Sequence, residues 1–177
     1  MSQMQNDQAK QKLLLYLNDA LSIENASSER LNIRIGEVSL ENTRNQLQHH
    51  QQETKEHQER LKQLISHFGG TPTEERADLS TPMPPESMIN RMMESMTVEE
   101  KELKRAKEDL ILENAEAAGY KMLILLGQKM NVDTTQLEKS LKEEQDMANW
   151  IDQNTPDMIN QLWPRIETSI GKGTVAA

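Results

Sequence analysis

Apolar positions along this chain return every three or four residues, the spacing of one helix face. A first stripe, within residues 8–34, is Leu13, Leu17, Leu21, Glu24, Ser28 and Leu31, and Gly36 is placed to end it. Ser39 stands where it can cap a second helix, with Glu41 in the first turn, and the glycine pair at 69 and 70 stops that helix after Phe68. The second helix presents Leu47, Leu61, Leu64, Ile65 and Phe68, with His50, Glu53 and His57 on or near the same line. Thr97 to Glu100, "TVEE", has capping-box spacing and opens a third helix whose stripe is Leu103, Ala106, Leu110, Glu113, Ala117, Tyr120 and Ile124. Asn131 ends it, and "DTTQ" at 133–136 offers the next cap. The fourth helix carries Leu137, Leu141, Glu144, Ala148 and Ile151, and is expected to stop at "NTP", 154–156.

The short connections near 36 and 132 make two antiparallel hairpins. Between them, residues 69–97 lose the helical period and hold four prolines and a Met cluster. A helix of ~28 residues is about 42 Å long, and a similar number of extended residues can return that distance. The expected fold is therefore all-α: an antiparallel four-helix bundle over residues 8–153, with a long crossover between helices 2 and 3. A bundle with one such crossover has the ferritin-like topology. Residues 154–177 are read as a short C-terminal helical segment, "DMINQLWPRI", and a loose tail.

Composition narrows the function. A net charge of -9 with no basic run argues against nucleic acid as a partner. The absence of cysteine excludes thiolate metal sites, Cys nucleophiles and disulfides. The longest apolar runs, "LLLYL" and "MLILL", fall far short of the ~20 residues that span a bilayer, so no membrane span is expected and the reading is cytoplasmic. There is no phosphate loop and no nucleophile elbow.

Each stripe nevertheless holds a glutamate where an apolar residue belongs: Glu24, Glu53 (slightly off the line), Glu113 and Glu144. His57 follows Glu53 by one turn, and Glu116 follows Glu113, so both pairs can converge on the bundle axis. Taken singly, such a glutamate fits the edge of a stripe. One on every helix is a different matter, because burying carboxylates costs several kcal/mol per ion and the stripes carry almost no Lys or Arg to offset them. Arg30 is the one nearby cation. Two divalent ions would balance four or five carboxylates, and oxygen donors with one imidazole suit iron or manganese better than zinc.

Four segments, "NDALSIEN" (18–25), "HQQETKEHQERL" (50–61), "ENAEAAGYKMLI" (113–124) and "LEKSLKEEQD" (137–146), resemble the YciF-type ferritin-like proteins, a stress-associated branch of the rubrerythrin and ferritin superfamily. The resemblance covers residues 10–152. It implies a carboxylate-bridged centre of two Fe or Mn ions with Glu24, Glu53, His57, Glu113, Glu116 and Glu144 as ligands. Two departures stand out. Glu53 and His57 are spaced i, i+4 where the usual motif is i, i+3, and Ala148 occupies a position where the fourth helix usually has a His or an acid. Glu143 and Asp146 flank Glu144 and could compensate only if the helix rotates.

Other residues have plainer readings beside the chemical ones. His50 lines a cavity or supports the ligands from outside, whereas His49 and His67 belong to the surface. Tyr120 either packs with a satisfied hydroxyl or bonds a ligand carboxylate. The Met-rich stretch 88–96 either fills the bundle end or meets a partner or oxidant. The function expected is a di-metal protein handling iron, dioxygen or peroxide, its partners a small oxidant or iron substrate and further copies of itself, as a homodimer or larger homo-oligomer. A rubredoxin-type relay is excluded by the missing cysteines. The alternative is a non-enzymatic stress or scaffold bundle that has lost productive metal binding, which Ala148 favours.

Overall fold

In the computed structural model the described residues are 3–79 and 94–173. Four helices form the bundle expected from the stripes: α1 (Gln3–Glu37), α2 (Glu41–His67), α3 (Val98–Lys129) and α4 (Thr135–Gly173). α1 packs on α2 and α3 on α4, while α1 against α3 and α2 against α4 close the bundle. Cross-links from Glu24 to Tyr120, Ser27 to Glu116 and Arg30 to Asp109 show that α1 and α3 run antiparallel.

Helix ends follow local chemistry. Thr97 and Glu100 form the expected capping box, Thr97 N–H donating to Glu100 Oε2 at 2.7 Å and Glu100 N–H to Thr97 Oγ1 at 3.2 Å. Gly69 leaves α2 in the left-handed region, with φ 74°, and Gly70 N–H closes on the Ile65 carbonyl at 3.0 Å. Asn131 does the same after α3 with φ 56°. Ser39, by contrast, is not the cap of α2. Leu40 is the N-cap, without a side-chain bond, and Glu102 of α3 supplies the acceptor: its carboxylate takes the N–H groups of Ser39 and Leu40 and the Ser39 hydroxyl. A carboxylate at a helix N-terminus satisfies donors the helix leaves free and meets the positive end of its dipole.

The first part of the crossover lies along α1. Thr73 N–H bonds Asn18 Oδ1, Asn25 Nδ2 bonds the Glu75 carbonyl, Ala77 N–H bonds the Ser22 carbonyl and Arg76 pairs with Glu29. The chain thus climbs from the end of α2 towards the start of α3. Most of the Met-rich stretch, 88–93, lies outside the described residues.

The fourth helix departs most from the sequence reading. It does not stop at 154–156 but continues through Pro156 and Pro164 to Gly173. Each proline removes one helical hydrogen bond, at roughly 3 kcal/mol. Against this, Met158, Leu162 and Ile166 are all buried, and a buried chain of that size contributes roughly 1.5–3 kcal/mol. Met158 and Leu162 form a cluster with Leu40 and Ala106, so the extension covers the α2–α3 end of the bundle.

Two further clusters frame the middle. Leu13, Leu17, Leu21, Leu61, Ile65, Tyr120, Leu123, Ile124 and Leu137 fill one end. Leu31, Val38, Leu47, Met147 and Ile151 fill the other. Between these clusters every helix buries at least one acid or imidazole, which leaves a charged layer flanked above and below by aliphatic packing. Among the described residues no helix is long and apolar enough to cross a membrane.

Candidate metal centre

The charged layer brings together Glu24 of α1, His50 and His57 of α2, Glu113 and Glu116 of α3 and Glu144 of α4, all buried. Two groups have ligand atoms within 4.8 Å of one another: Glu24, His57 and Glu144, and His50, Glu113 and Glu144. Glu144 belongs to both. Its Oε1 lies 2.8 Å from His57 Nδ1 and its Oε2 lies 3.6 Å from His50 Nε2, so one carboxylate spans the two groups. His57 Nδ1 also lies 3.2 Å from Glu24 Oε1, and His50 Nε2 lies 2.8 Å from Glu113 Oε2. The two imidazoles are 6.3 Å apart between ring centroids.

These atoms are near one another without satisfying one another. Glu24 Oε2, His57 Nδ1, Glu113 Oε2 and both oxygens of Glu144 are buried and make no aligned hydrogen bond. Leaving a buried polar atom unpaired costs about 1–3 kcal/mol, and more if it is charged. Among the described residues no Lys or Arg pairs with Glu24, Glu113, Glu116 or Glu144. Arg30, the cation singled out in the sequence, is held with Arg34 by Asp109. Imidazole nitrogen and carboxylate oxygen are the donors that iron and manganese take, so the residues fit a metal centre.

Each imidazole is held from behind by a second carboxylate. His50 Nδ1 meets Glu53 Oε2 at 3.1 Å, which turns Nε2 inward. His57 Nε2 meets Glu143 Oε2 at 3.0 Å, which turns Nδ1 inward. Glu143 is fixed in turn by Arg60, which also reaches Ser140 and Glu56. Outer carboxylates of this kind set the ring's tautomer and orientation in metal sites.

The geometry separates the six sequence candidates. Glu24, His57, Glu113 and Glu144 contribute to the two groups. Glu116 is buried beside them, its Oε1 accepting from Ser27 Oγ, and belongs to neither group. Glu53 lies outside both, as the partner of His50. The position three before His57, where the resemblance usually has a carboxylate, is Thr54, whose hydroxyl bonds the His50 carbonyl at 3.0 Å. Ala148 is buried and brings no donor, and Asp146 is paired with Lys142 at the surface. His50 enters the site instead. The signal for it was legible in the run Leu47, His50, Thr54, His57, Leu61, whose steps of three and four are all buried. Tyr120 donates its hydroxyl to Glu24 Oε1 and stands edge-on to His57 at 5.7 Å between centroids.

The electrostatics are those of acids crowded without counter-ions. Burial and then the neighbouring carboxylates Glu116, Glu113 and Glu24 hold Glu144 well above the usual range. Burial, Glu24 and Glu113 do the same to Glu116. Burial pulls the His50 pKa down, but the close charge of Glu113, with the hydrogen bond to Glu53, outweighs it and pushes it up to about 10. Burial also pushes Glu113 upwards, and the facing His50 reverses that, so Glu113 lies below its ordinary value. Burial and Glu24 raise the Tyr120 phenol far above its ordinary value and keep it a donor.

The fold and this layer define a class: a four-helix bundle with a buried carboxylate–imidazole centre capable of holding metal ions. The chain belongs to the family described as Domain of unknown function (DUF892), matched over residues 8–163, within the ferritin-like superfamily. Its fold is similar to the crystal structure of a protein from Xanthomonas campestris pv. campestris, with a TM-score of 0.74, 14% identity, and coverage of 89% of this chain and 97% of that one. No curated protein matches the sequence.

Proposed function

We propose that the chain is a di-metal carboxylate protein of the YciF-type branch, carrying two iron or manganese ions and handling iron, dioxygen or peroxide in a stress-related role. Glu24 and His57 would hold one ion and His50 and Glu113 the other, with Glu144 common to both groups; Glu116 is the spare carboxylate beside them. The observation that carries this reading is the set of five buried donor atoms without hydrogen bonds, drawn from all four helices.

When bound, the metals supply the redox equivalents and the Lewis acidity for reaction with an oxidant. The protein's residues bind, orient and exclude water. Aliphatic clusters on both sides keep the layer dry, which strengthens each ionic contact. Glu53 and Glu143 hold the imidazole rings in register. Tyr120 keeps one oxygen of Glu24 occupied, leaving Oε2 of that carboxylate unpaired and free to act as a ligand. The reading includes a cytoplasmic location and assembly of like copies.

The test is metal analysis of the purified protein, with anomalous scattering at the iron and manganese edges, followed by addition of Fe(II) or peroxide. Two ions per chain and turnover of either reagent support the proposal. A second reading, a scaffold bundle without productive metal, is favoured by Ala148, which withholds the usual fourth-helix donor. A folded chain that binds neither metal at millimolar concentration would establish that reading and end the first.

A further inference from the structure

Arg34 is one of the largest fully buried side chains of the protein, 2% exposed, yet only part of its guanidinium is engaged. Nε donates to Asp109 Oδ2 at 3.0 Å, and Nη1 stands 4.0 Å from Glu37 Oε2, beyond hydrogen-bond reach. Among the described residues neither Nη atom makes a hydrogen bond, although a guanidinium carries five donor hydrogens. The nearby acceptors are shared. Asp109 also takes Nε and Nη2 of Arg30, at 3.2 and 2.7 Å. Glu37 also pairs with Arg105, and Glu108, 3.8 Å from Arg30, pairs with Lys104. Four cations thus divide three carboxylates, and the most deeply buried of them keeps donors to spare.

Arg34 lines a cleft of about 310 Å³ between α1, α3 and the start of the crossover. Arg30, Arg76 and Arg105 line it too, so four of the chain's eight arginines meet at one place in a protein of net charge -9. Of the acids in the lining, Glu29 is paired with Arg76 at 2.7 Å and Asp78 lies exposed at the rim. The remaining wall is apolar, with Ile33 on α1 and Leu79 on the crossover. Arg30, Ile33 and Arg34 fall three and four residues apart and so share one face of α1. The opposite wall is tied down by Ala77 N–H, which bonds the Ser22 carbonyl at 2.9 Å. The volume is at the lower end of the ~300–1,000 Å³ of small-molecule sites, which join apolar walls to a few placed polar groups.

We propose that this cleft binds a small carboxylate with an apolar body, a short fatty or aromatic acid. With Nε taken by Asp109, the two Nη atoms of Arg34 form an end-on fork, which a carboxylate meets with two parallel hydrogen bonds. Its charge offsets the cation left over among Arg30, Arg34, Arg105 and Lys104, and its hydrocarbon covers Ile33 and Leu79. Inorganic phosphate meets the same arginines but leaves that wall uncovered. None of the residues lining the cleft belongs to either donor group of the metal centre, so binding here is independent of metal.

Titration calorimetry of the full chain with benzoate and with hexanoate, before and after metal loading, reads the site. One equivalent per chain with a Kd of about 1 mM or tighter is expected in both forms. Acetate and inorganic phosphate, which lack the apolar body, are expected to bind about tenfold more weakly or worse. Arg34→Gln is expected to weaken benzoate binding about tenfold or more. Because Arg34 also holds Asp109, a second variant keeps the test independent of folding. Ile33→Glu, at an exposed position of the wall, sets a carboxylate against the arginines and is expected to abolish binding with helix content and metal stoichiometry unchanged. Arg44→Gln, outside the cleft, is expected to bind as the parent does. No saturable binding of benzoate or hexanoate up to about 10 mM overturns the proposal. So does phosphate binding as tightly as benzoate, or parent affinity in either Arg34→Gln or Ile33→Glu.

Discussion

His57 faces Glu144 through Nδ1 at 2.8 Å, and through its other nitrogen it faces Glu143, the preceding residue of α4, at 3.0 Å. Adjacent residues on a helix point about 100° apart. The ring therefore sits between them, one carboxylate inside the sealed layer and one at its edge. The same division recurs at His50, with Glu113 inside and Glu53 outside. Glu144 and Glu113 keep buried oxygens without hydrogen bonds and the outer carboxylates fix the rings, and the first set of variants separates these roles.

Glu144 is the one residue common to both groups. Glu144→Ala is expected to abolish binding of both ions, whereas Glu113→Ala removes one and leaves the other. Elemental analysis of the purified variants reads the difference as zero against one ion per chain. Both variants are expected to remain helical. The metal-free form of Glu113→Ala should be no less stable than the metal-free parent, because a buried charge has been removed. Loss of fold in a parent that never held metal would make Glu113 a structural ion-pair partner.

Glu53→Gln and Glu143→Gln keep shape and remove a charge behind an imidazole. Each is expected to weaken metal binding by about 10–100-fold without changing stoichiometry, the effect of losing an orienting outer carboxylate. Competition with a chelator measures it. Complete loss of one ion in Glu53→Gln would instead assign Glu53 as a direct ligand.

Between pH 5 and 9 the metal-free protein is expected to lose stability as pH rises. Glu144 and Glu116 have folded-state pKa values above their unfolded ones, so the folded state holds extra protons above about pH 4.5 and gives them up at a cost. His50, raised to about 10, adds stability that is full below about 6.5 and is lost through 10. All three act in one direction over this range. Glu113 and Glu143, whose values are lowered, contribute stability that is lost only on the acid side of the carboxylate range. Metal-loaded protein should show the opposite trend, since ions displace those protons. Melting temperatures of both forms across the range test the pair of slopes, and a metal-free protein that melts higher at pH 9 than at pH 5 contradicts the assignment.

Leu162 is fully buried in the part of α4 beyond both the expected stop and Pro156. Leu162→Ala is expected to cost about 2–5 kcal/mol in urea unfolding, as for a core leucine. A change below about 0.5 kcal/mol would mean that the extension is not packed on the bundle in solution.

Much of this was legible in the chain itself. Stripes at steps of three and four, the Thr97–Glu100 box, the glycine pair after Phe68 and the crossover gave the four helices and their order, because these signals act within a few residues. The glutamates on apolar faces were visible for the same reason. His50 was visible as well, at two turns before His57, but periodicity gives direction only to within about half a turn's arc and could not say that His50, not Glu53, faces inward.

The sequence by itself determined an all-α bundle with acids on its inner faces, since local propensity, caps and hydrophobic period are properties of short segments. Tertiary structure decided the rest. It carried α4 through two prolines because burial of Met158, Leu162 and Ile166 against other helices offsets their cost. It moved the capping of α2 from Ser39 to Glu102, 63 residues away along the chain and 3.1 Å away in space. It also chose which nitrogen of each imidazole faces the carboxylates, because a ring between two helices is oriented by whatever both of them present.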